Sequence, residues 1–362
     1  MNTEILAFKF KMAFFVLLFM FSLDFLFYRA LRRIFKNSPK KLKFYSSLHW
    51  SIAIISFLSF AAFLFFPELE KFKGLKAISS GIVSALYLSK VLFSLFAFTE
   101  GIARLFTWIF KSNKKIAEKV EGAIKEEKIE AAEPKIPAKE KMSRAEFLYK
   151  GGIIASAVPF VLLSNGVISG AYNYKIRRVR LPIKGLPLAF ENYKIVQISD
   201  IHTGSFYDKK AVNEGINMIL AEKPNAVFFT GDMVNNAAFE MDEYLEMFAR
   251  IQAPDGVFSV LGNHDYGEYM KWPSEEAKIE NFNNLLNHHK NLNWRLLRNE
   301  HEFISKGDSK LAIIGVENWG DRGRFQKFGD VHLATENIGN ADVKLLLSHD
   351  PSHWDAKVRK EN

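Results

Sequence analysis

Asp200, His202, Asp232, Asn263, His264, Asp265 and His349 are the residues whose types and spacing could do chemistry. They occur as Asp200-Ile201-His202, as Gly231-Asp232 followed by Asn235 and Asn236, as Gly262-Asn263-His264-Asp265, and as His349-Asp350. Carboxylate, imidazole and amide oxygen together make a ligand set for borderline to hard divalent cations such as Mn, Fe or Zn, and one carboxylate can bridge two of them. The set therefore points to a two-metal site. The 362 residues include no Cys, which excludes thiolate zinc sites, iron–sulfur clusters, a disulfide framework and a cysteine nucleophile. Glycine before Asp232 and before Asn263 is expected to let the backbone turn sharply and aim the next side chain inward.

Each of these clusters follows a run apolar enough to be a buried strand: residues 193–199, 225–230, 256–261 and 343–348, with a further run at 311–316. Residues 208–223 and 239–251 read as helices, the first with Asp208 at its N-cap and Pro224 past its end. Strands alternating with helices predict an α/β sheet, and the carboxyl ends of such strands border the ligand crevice, so the clusters are expected to converge there. His49, His288, His289, His301, His332 and His353 lack this setting and read as surface or packing residues.

The first half of the chain is a different polymer. Residues 12–27, 46–66, 77–98 and 151–170 are apolar runs near the ~20 residues that span a bilayer, which predicts four transmembrane helices and a lipid bilayer as partner. The predicted organisation is a membrane domain over 1–110 with three spans, a charged cytoplasmic linker over 111–145 containing Pro134 and Pro137, a fourth span over 146–172, and an α/β domain over 173–362. Arg29, Arg32, Arg33, Lys36, Lys40, Lys41 and Lys43 crowd the first connection and place it in the cytoplasm, so the fourth span is expected to export the α/β domain. The expected location is a bacterial inner membrane with that domain outside the cytoplasm. The net charge of +9 follows from these flanks, and no nucleic-acid partner is specifically implied. Asp24 and Lys90 are ionisable residues inside spans at matching depth, which predicts a structural ion pair.

The stretches QISDIHTG, TGDMVNN, VLGNHDY and LLLSHDP, with residues 297–300 and 314–316, resemble the calcineurin-like metallophosphoesterases, whose ordered motifs are D-x-H, G-D, G-N-H-[DE], H and G-H-x-H. Within that family the chain is most similar to the membrane-anchored bacterial branch, which includes lipid-precursor pyrophosphatases. The resemblance implies an α/β/β/α sandwich. It implies that Asp200 and His202 bind a first metal, that Asp232 bridges two, and that Asn263 and His349 bind the second. His264 would face the substrate phosphate and protonate the leaving oxygen, with Asp265 orienting its ring.

The implied activity is metal-dependent hydrolysis of a phosphodiester or pyrophosphate by activated water, on a substrate that the membrane anchor suggests is lipid-linked. The chain ends at Asn362, thirteen residues after His349, without a G-H-x-H motif, and the expectation is of a domain truncated at its C-terminus. The alternative that this leaves open is a non-catalytic membrane sensor or scaffold with a degenerate phosphoesterase domain.

Overall fold

The structure is a computed structural model that describes residues 3–66, 68–69, 72–121, 143–320 and 327–360. It divides into two units, 1–173 and 174–362. The first holds the helices α1 (Thr3–Ile34), α2 (Pro39–Phe65), α3 (Lys73–Glu121) and α4 (Arg144–Asn165), the last extended by a π-helical turn at Gly166–Gly170. Pro39 sits in the first turn of α2, where its missing N–H has no helical partner to lose. Ser143 caps α4 by accepting the Glu146 amide. Helix α3 continues into the stretch read as linker, and Pro134 and Pro137 lie outside the described residues.

Four segments are long and apolar enough to cross a membrane: Ala7–Ile34, Pro39–Phe65, Lys73–Thr107 and Arg144–Ile168. Large apolar side chains on their outer faces, among them Phe14, Phe15, Leu58, Leu95, Ile154 and Leu162, are exposed, as lipid-facing residues must be. Inside, Met20 and Leu23 pack with Tyr87, and Ala30, Phe93, Ala97, Ala145 and Tyr149 form a second cluster. The Asp24–Lys90 ion pair forms, with Nζ 2.5 Å from Oδ1. Tyr87 donates to Asp24 Oδ2 at 2.7 Å, and His49, a packing residue as read, sits buried beside them with Nε2 3.1 Å from the Asp24 carbonyl oxygen.

The second unit runs β1 (Ile195–Ile198), α5 (Lys209–Ala221), β2 (Ala226–Phe229), α6 (Leu245–Phe248), β3 (Val257–Ser259), α7 (Glu275–Asn291), β4 (Arg295–Leu296), β5 (Glu300–Lys306), β6 (Ser309–Gly315), α8 (Val331–Thr335), β7 (Val343–Leu347) and α9 (Ser352–Ala356). One sheet is parallel, in the order β1-β2-β3-β4. The other has the order β5-β6-β7, with β5 and β6 antiparallel and β6 and β7 parallel.

Strand alternation explains the layering. Ala226 and Phe228 of β2 meet Leu311 and Ile313 of β6 in one core with Phe190, Phe258, Leu297 and Leu347, so the sheets pack face to face. The intervening Phe229 turns outward to His289 of α7 and Trp294, while Ala312 and Ile314 turn the other way onto Ala334 and Ile338. The layers are therefore α/β/β/α. Asp208 caps α5 by accepting the Ala211 amide, as its position predicts.

Two local expectations are corrected. Residues 239–251 do not form one helix: Ala238–Tyr244 is 3₁₀, followed by the single turn α6. The Glu240 carboxylate folds back onto the Asn235 amide at 2.6 Å and Asn281 takes the Ala238 amide at 2.8 Å, so side chains hold the backbone groups a regular helix start would need. Strand β5, unforeseen in so polar a run, forms because β6 supplies its partner across the tight turn at Gly307.

Candidate metal centre

The clusters converge beyond the carboxyl ends of β1, β2, β3 and β7. Asp200 (φ 53°), His202 (φ 49°) and Asp232 (φ 62°) all adopt left-handed backbone, which non-glycine residues seldom occupy and which costs about 1–3 kcal/mol each. The fold holds them there through amide bonds between neighbouring strand ends: Asp200 N–H donates to the Gly231 carbonyl at 2.9 Å and His202 N–H to the Asp232 carbonyl at 3.1 Å. Strain of this kind falls on three candidate ligands at once, although Asn192, Lys223 and Asn293 carry the same backbone outside the clusters.

The two glycines have different reasons. Gly231 has φ 99°, the left-handed conformation expected of a turn, and a Cβ there would also lie 2.5 Å from the Gly262 nitrogen. Gly262 is extended, with φ −100°, and is required by proximity instead: a Cβ there would lie 2.1 Å from Asp232 Oδ1 and 2.6 Å from its amide nitrogen. The loop after β3 thus passes directly against the loop after β2.

Asp232 stands at the centre. It is 3% exposed, and its Oδ2 lies 3.4 Å from Nε2 of His202 and 3.4 Å from Nε2 of His349, while Oδ1 accepts the His264 amide at 2.9 Å. Ligand atoms of Asp200, Asp232 and His349 fall within 4.8 Å of one another, as do those of His202, Asp232 and His264. The Asn263 side-chain oxygen is 3.2 Å from His349 Nε2. All the sequence-derived candidates except Asp265 therefore present polar side-chain atoms to one centre. The grouping by proximity sets Asp200 with His349 and His202 with His264, a different partition from the one the family resemblance implies.

The donor set fits divalent cations. His349 Nδ1 lies 2.8 Å from the Thr230 carbonyl and His264 Nδ1 lies 2.6 Å from the Asn235 carbonyl, so each ring spends Nδ1–H on the backbone and turns Nε2 elsewhere. Burial alone would raise the Asp232 carboxyl and lower the His349 imidazole. Their mutual contact overrides both, with Asp232 held below the ordinary carboxylate range and His349 raised to about 9. Two carboxylates, imidazoles that become neutral on giving up a proton to the metal, and an amide oxygen in one partly open crevice are the ligands Mn, Fe or Zn would take.

Asp265 departs from its expected task. Its carboxylate, 1% exposed, accepts the amides of Asp232 (2.9 Å), Met233 (2.8 Å) and Gly262 (2.8 Å). The Asn235 carbonyl, not Asp265, holds the His264 ring, because the loop after β3 turns the Asp265 side chain inward under the loop after β2. Burial, followed by the Asp232 charge, pushes the Asp265 carboxyl up to about 7 against the pull of the three amides.

Sequence reasoning also missed Tyr269. Its ring stacks on His264 at 4.0 Å between centroids, 11° from parallel, and its hydroxyl accepts from Asn263 Nδ2 at 2.6 Å.

Residues 193–361 match the family described as "Calcineurin-like phosphoesterase", and residues 10–171 match "Probable Calcineurin-like phosphoesterase, transmembrane domain". An "Uncharacterized metallophosphoesterase" of Aquifex aeolicus is 28% identical over 192 residues, 51% of this chain and 67% of the relative. A "Transmembrane protein with metallophosphoesterase domain" of Danio rerio is 22% identical, covering 56% of this chain and 45% of the relative, so the chain spans less than half of that protein. The "UDP-2,3-diacylglucosamine pyrophosphatase LpxG" of Chlamydia trachomatis is 38% identical over 78 residues, 21% of this chain and 24% of the relative. With four bilayer-length helices joined to an α/β/β/α domain, the chain is an integral membrane protein that belongs to the calcineurin-like phosphoesterases.

Proposed function

We propose that this protein is a membrane-anchored phosphohydrolase that cleaves a phosphodiester or pyrophosphate with two divalent cations. The observation that carries the reading is the buried Asp232 carboxylate, placed 3.4 Å from both His202 and His349, where a bridging ligand belongs. Asp200, His202, Asp232, Asn263 and His349 would hold the cations, identified by donor chemistry as Mn, Fe or Zn. When bound, such cations supply an acidic water and neutralise phosphoryl oxygens, which dispenses with a protein nucleophile.

The chain's own residues do the rest. The Asn235 carbonyl accepts the Nδ1–H of His264, and when the ring carries a proton on both nitrogens Nε2 can hand its own to the leaving oxygen. Asp265 positions the two ligand loops from behind through three amides. The membrane spans keep the domain beside lipid, and the partial likeness to a relative named as a lipid-sugar nucleotide pyrophosphatase supports a lipid-linked phosphate as the substrate class. The basic flank of the first connection supports the phosphoesterase domain on the extracytoplasmic side, and the likeness to proteins of Aquifex aeolicus and Chlamydia trachomatis supports a bacterial inner membrane.

The test is hydrolysis of bis-p-nitrophenyl phosphate and of a lipid-linked pyrophosphate by the purified protein in detergent, with Mn²⁺, Fe²⁺ or Zn²⁺ and after chelation. Turnover that needs the cation and is lost in Asp232→Asn is the expected result. Metal-loaded protein that hydrolyses neither substrate sinks the reading. Proteolysis of sealed vesicles of known orientation checks the side of the membrane.

A further inference from the structure

Tyr269 lies six residues after Asn263 and touches two candidate site residues at once. The amide nitrogen of Asn263 donates to its hydroxyl at 2.6 Å, and the amide oxygen of the same side chain faces His349 Nε2 at 3.2 Å. A carboxamide presents nitrogen to one side and oxygen to the other, so fixing the nitrogen on Tyr269 fixes which atom faces the metal centre. The second contact is a stack. The Tyr269 and His264 rings lie 4.0 Å apart and 11° from parallel, His202 meets His264 edge-on at 4.7 Å, and the Asn235 carbonyl takes Nδ1. The imidazole is therefore confined on its face, its edge and its proton.

Tyr269 is itself 39% exposed, and a ring so open to solvent contributes little to a core. The hydroxyl contact and the ring stack both go to site residues. We propose that Tyr269 is a positioning residue that sets the Asn263 amide for the metal through its hydroxyl and holds the His264 ring through its face. This rests on the reading that Asn263 ligates a cation and His264 serves the leaving oxygen.

Two substitutions separate the arms: Tyr269→Phe keeps the stack and loses the hydroxyl, and Tyr269→Leu loses both. The full-length protein in detergent is titrated with Mn²⁺, with free manganese read by electron paramagnetic resonance. Turnover of bis-p-nitrophenyl phosphate is measured at saturating Mn²⁺, and the rate of His264 modification by diethyl pyrocarbonate is followed by mass spectrometry. Both variants are expected to bind Mn²⁺ about tenfold more weakly, the low end of the loss for an outer partner of a metal ligand. At saturating Mn²⁺ the Leu variant is expected to turn over at least about tenfold more slowly than the Phe variant, and its His264 to be modified faster, since a positioned proton donor is worth about 10²–10⁴ in rate.

Manganese affinity equal in all three proteins overturns the Asn263 arm. Equal turnover and equal His264 labelling in the Phe and Leu variants overturn the His264 arm. A wild type that binds Mn²⁺ without turnover sinks the hydrolase reading instead, and the titration and labelling still decide both arms. A wild type that binds no Mn²⁺ removes that reading and the Asn263 arm together, leaving the labelling rates to decide the ring.

Discussion

The Asp265 carboxylate accepts the Asp232 amide at 2.9 Å from beneath the metal centre, and the amides of Met233 and Gly262 at 2.8 Å each. One buried side chain thereby joins the loop after β2 to the loop after β3. Asp265→Asn would turn an N–H₂ toward at least one of these donors. A lost charged hydrogen bond with its donor left buried costs about 1.5–3 kcal/mol, so a lower unfolding temperature and weaker Mn²⁺ binding are expected together. An unchanged unfolding temperature would count against the bridging role.

Gly262 offers a sharper test of the same junction. A methyl group there would sit 2.1 Å from Asp232 Oδ1, although the backbone at φ −100° suits any residue. Gly262→Ala is therefore expected to displace Asp232, with about 1–3 kcal/mol of overpacking and at least tenfold weaker Mn²⁺ binding. Gly307→Ala is the contrast: its φ of 60° strains an Ala by about 1 kcal/mol, but no atom lies within reach of a Cβ and the metal centre is not involved. Calorimetric titration of both variants checks the pair, and equal Mn²⁺ affinities would refute the steric argument.

Metal binding should depend steeply on pH. Burial alone would lower the His349 imidazole, yet Asp232 and the Thr230 carbonyl raise it to about 9 in the metal-free protein. A ligating imidazole must be neutral, so below that value the cation that His349 binds displaces its proton. The apparent Mn²⁺ affinity is expected to rise about tenfold per pH unit from pH 6.5 to 8.5 and to level off as pH passes the folded value. A titration series with slope near zero across that range would show that His349 is not the group displaced.

Legibility in the sequence followed how local each determinant is. The strands β1, β2, β3, β6 and β7 were readable because each is an apolar run that must be buried. β5 was not, because Glu300, His301, Glu302 and Lys306 hide a strand whose stability comes from β6. The convergence of Asp200, His202, Asp232, Asn263, His264 and His349 followed from their places after strands. The inward turn of Asp265 did not, since it depends on two loops approaching within van der Waals distance, and the stack of Tyr269 did not, since it depends on how the loop after β3 folds back on His264. The reason for Gly262 was hidden in the same way: sequence suggests torsional freedom, and only the packed loops reveal the missing space.

The membrane unit yields the last prediction. Lys90 Nζ lies 2.5 Å from Asp24 Oδ1, the two residues are 5% and 0% exposed, and Tyr87 satisfies the second carboxylate oxygen at 2.7 Å. Among apolar helices a lone charge is far costlier than a satisfied pair. Asp24→Asn strips Lys90 of its counter-ion, and Lys90→Met leaves Asp24 with only neutral donors and the His49 ring, whose Nε2 is 3.5 Å from Oδ1. Each single change is expected to cost about 3–5 kcal/mol, whereas the double variant removes both charges and should recover most of that loss. Thermal unfolding of the four proteins in one detergent closes the cycle. Additive single losses would mean that the two charges do not stabilise each other, and would leave the link between α1 and α3 to apolar packing around Met20, Leu23 and Tyr87.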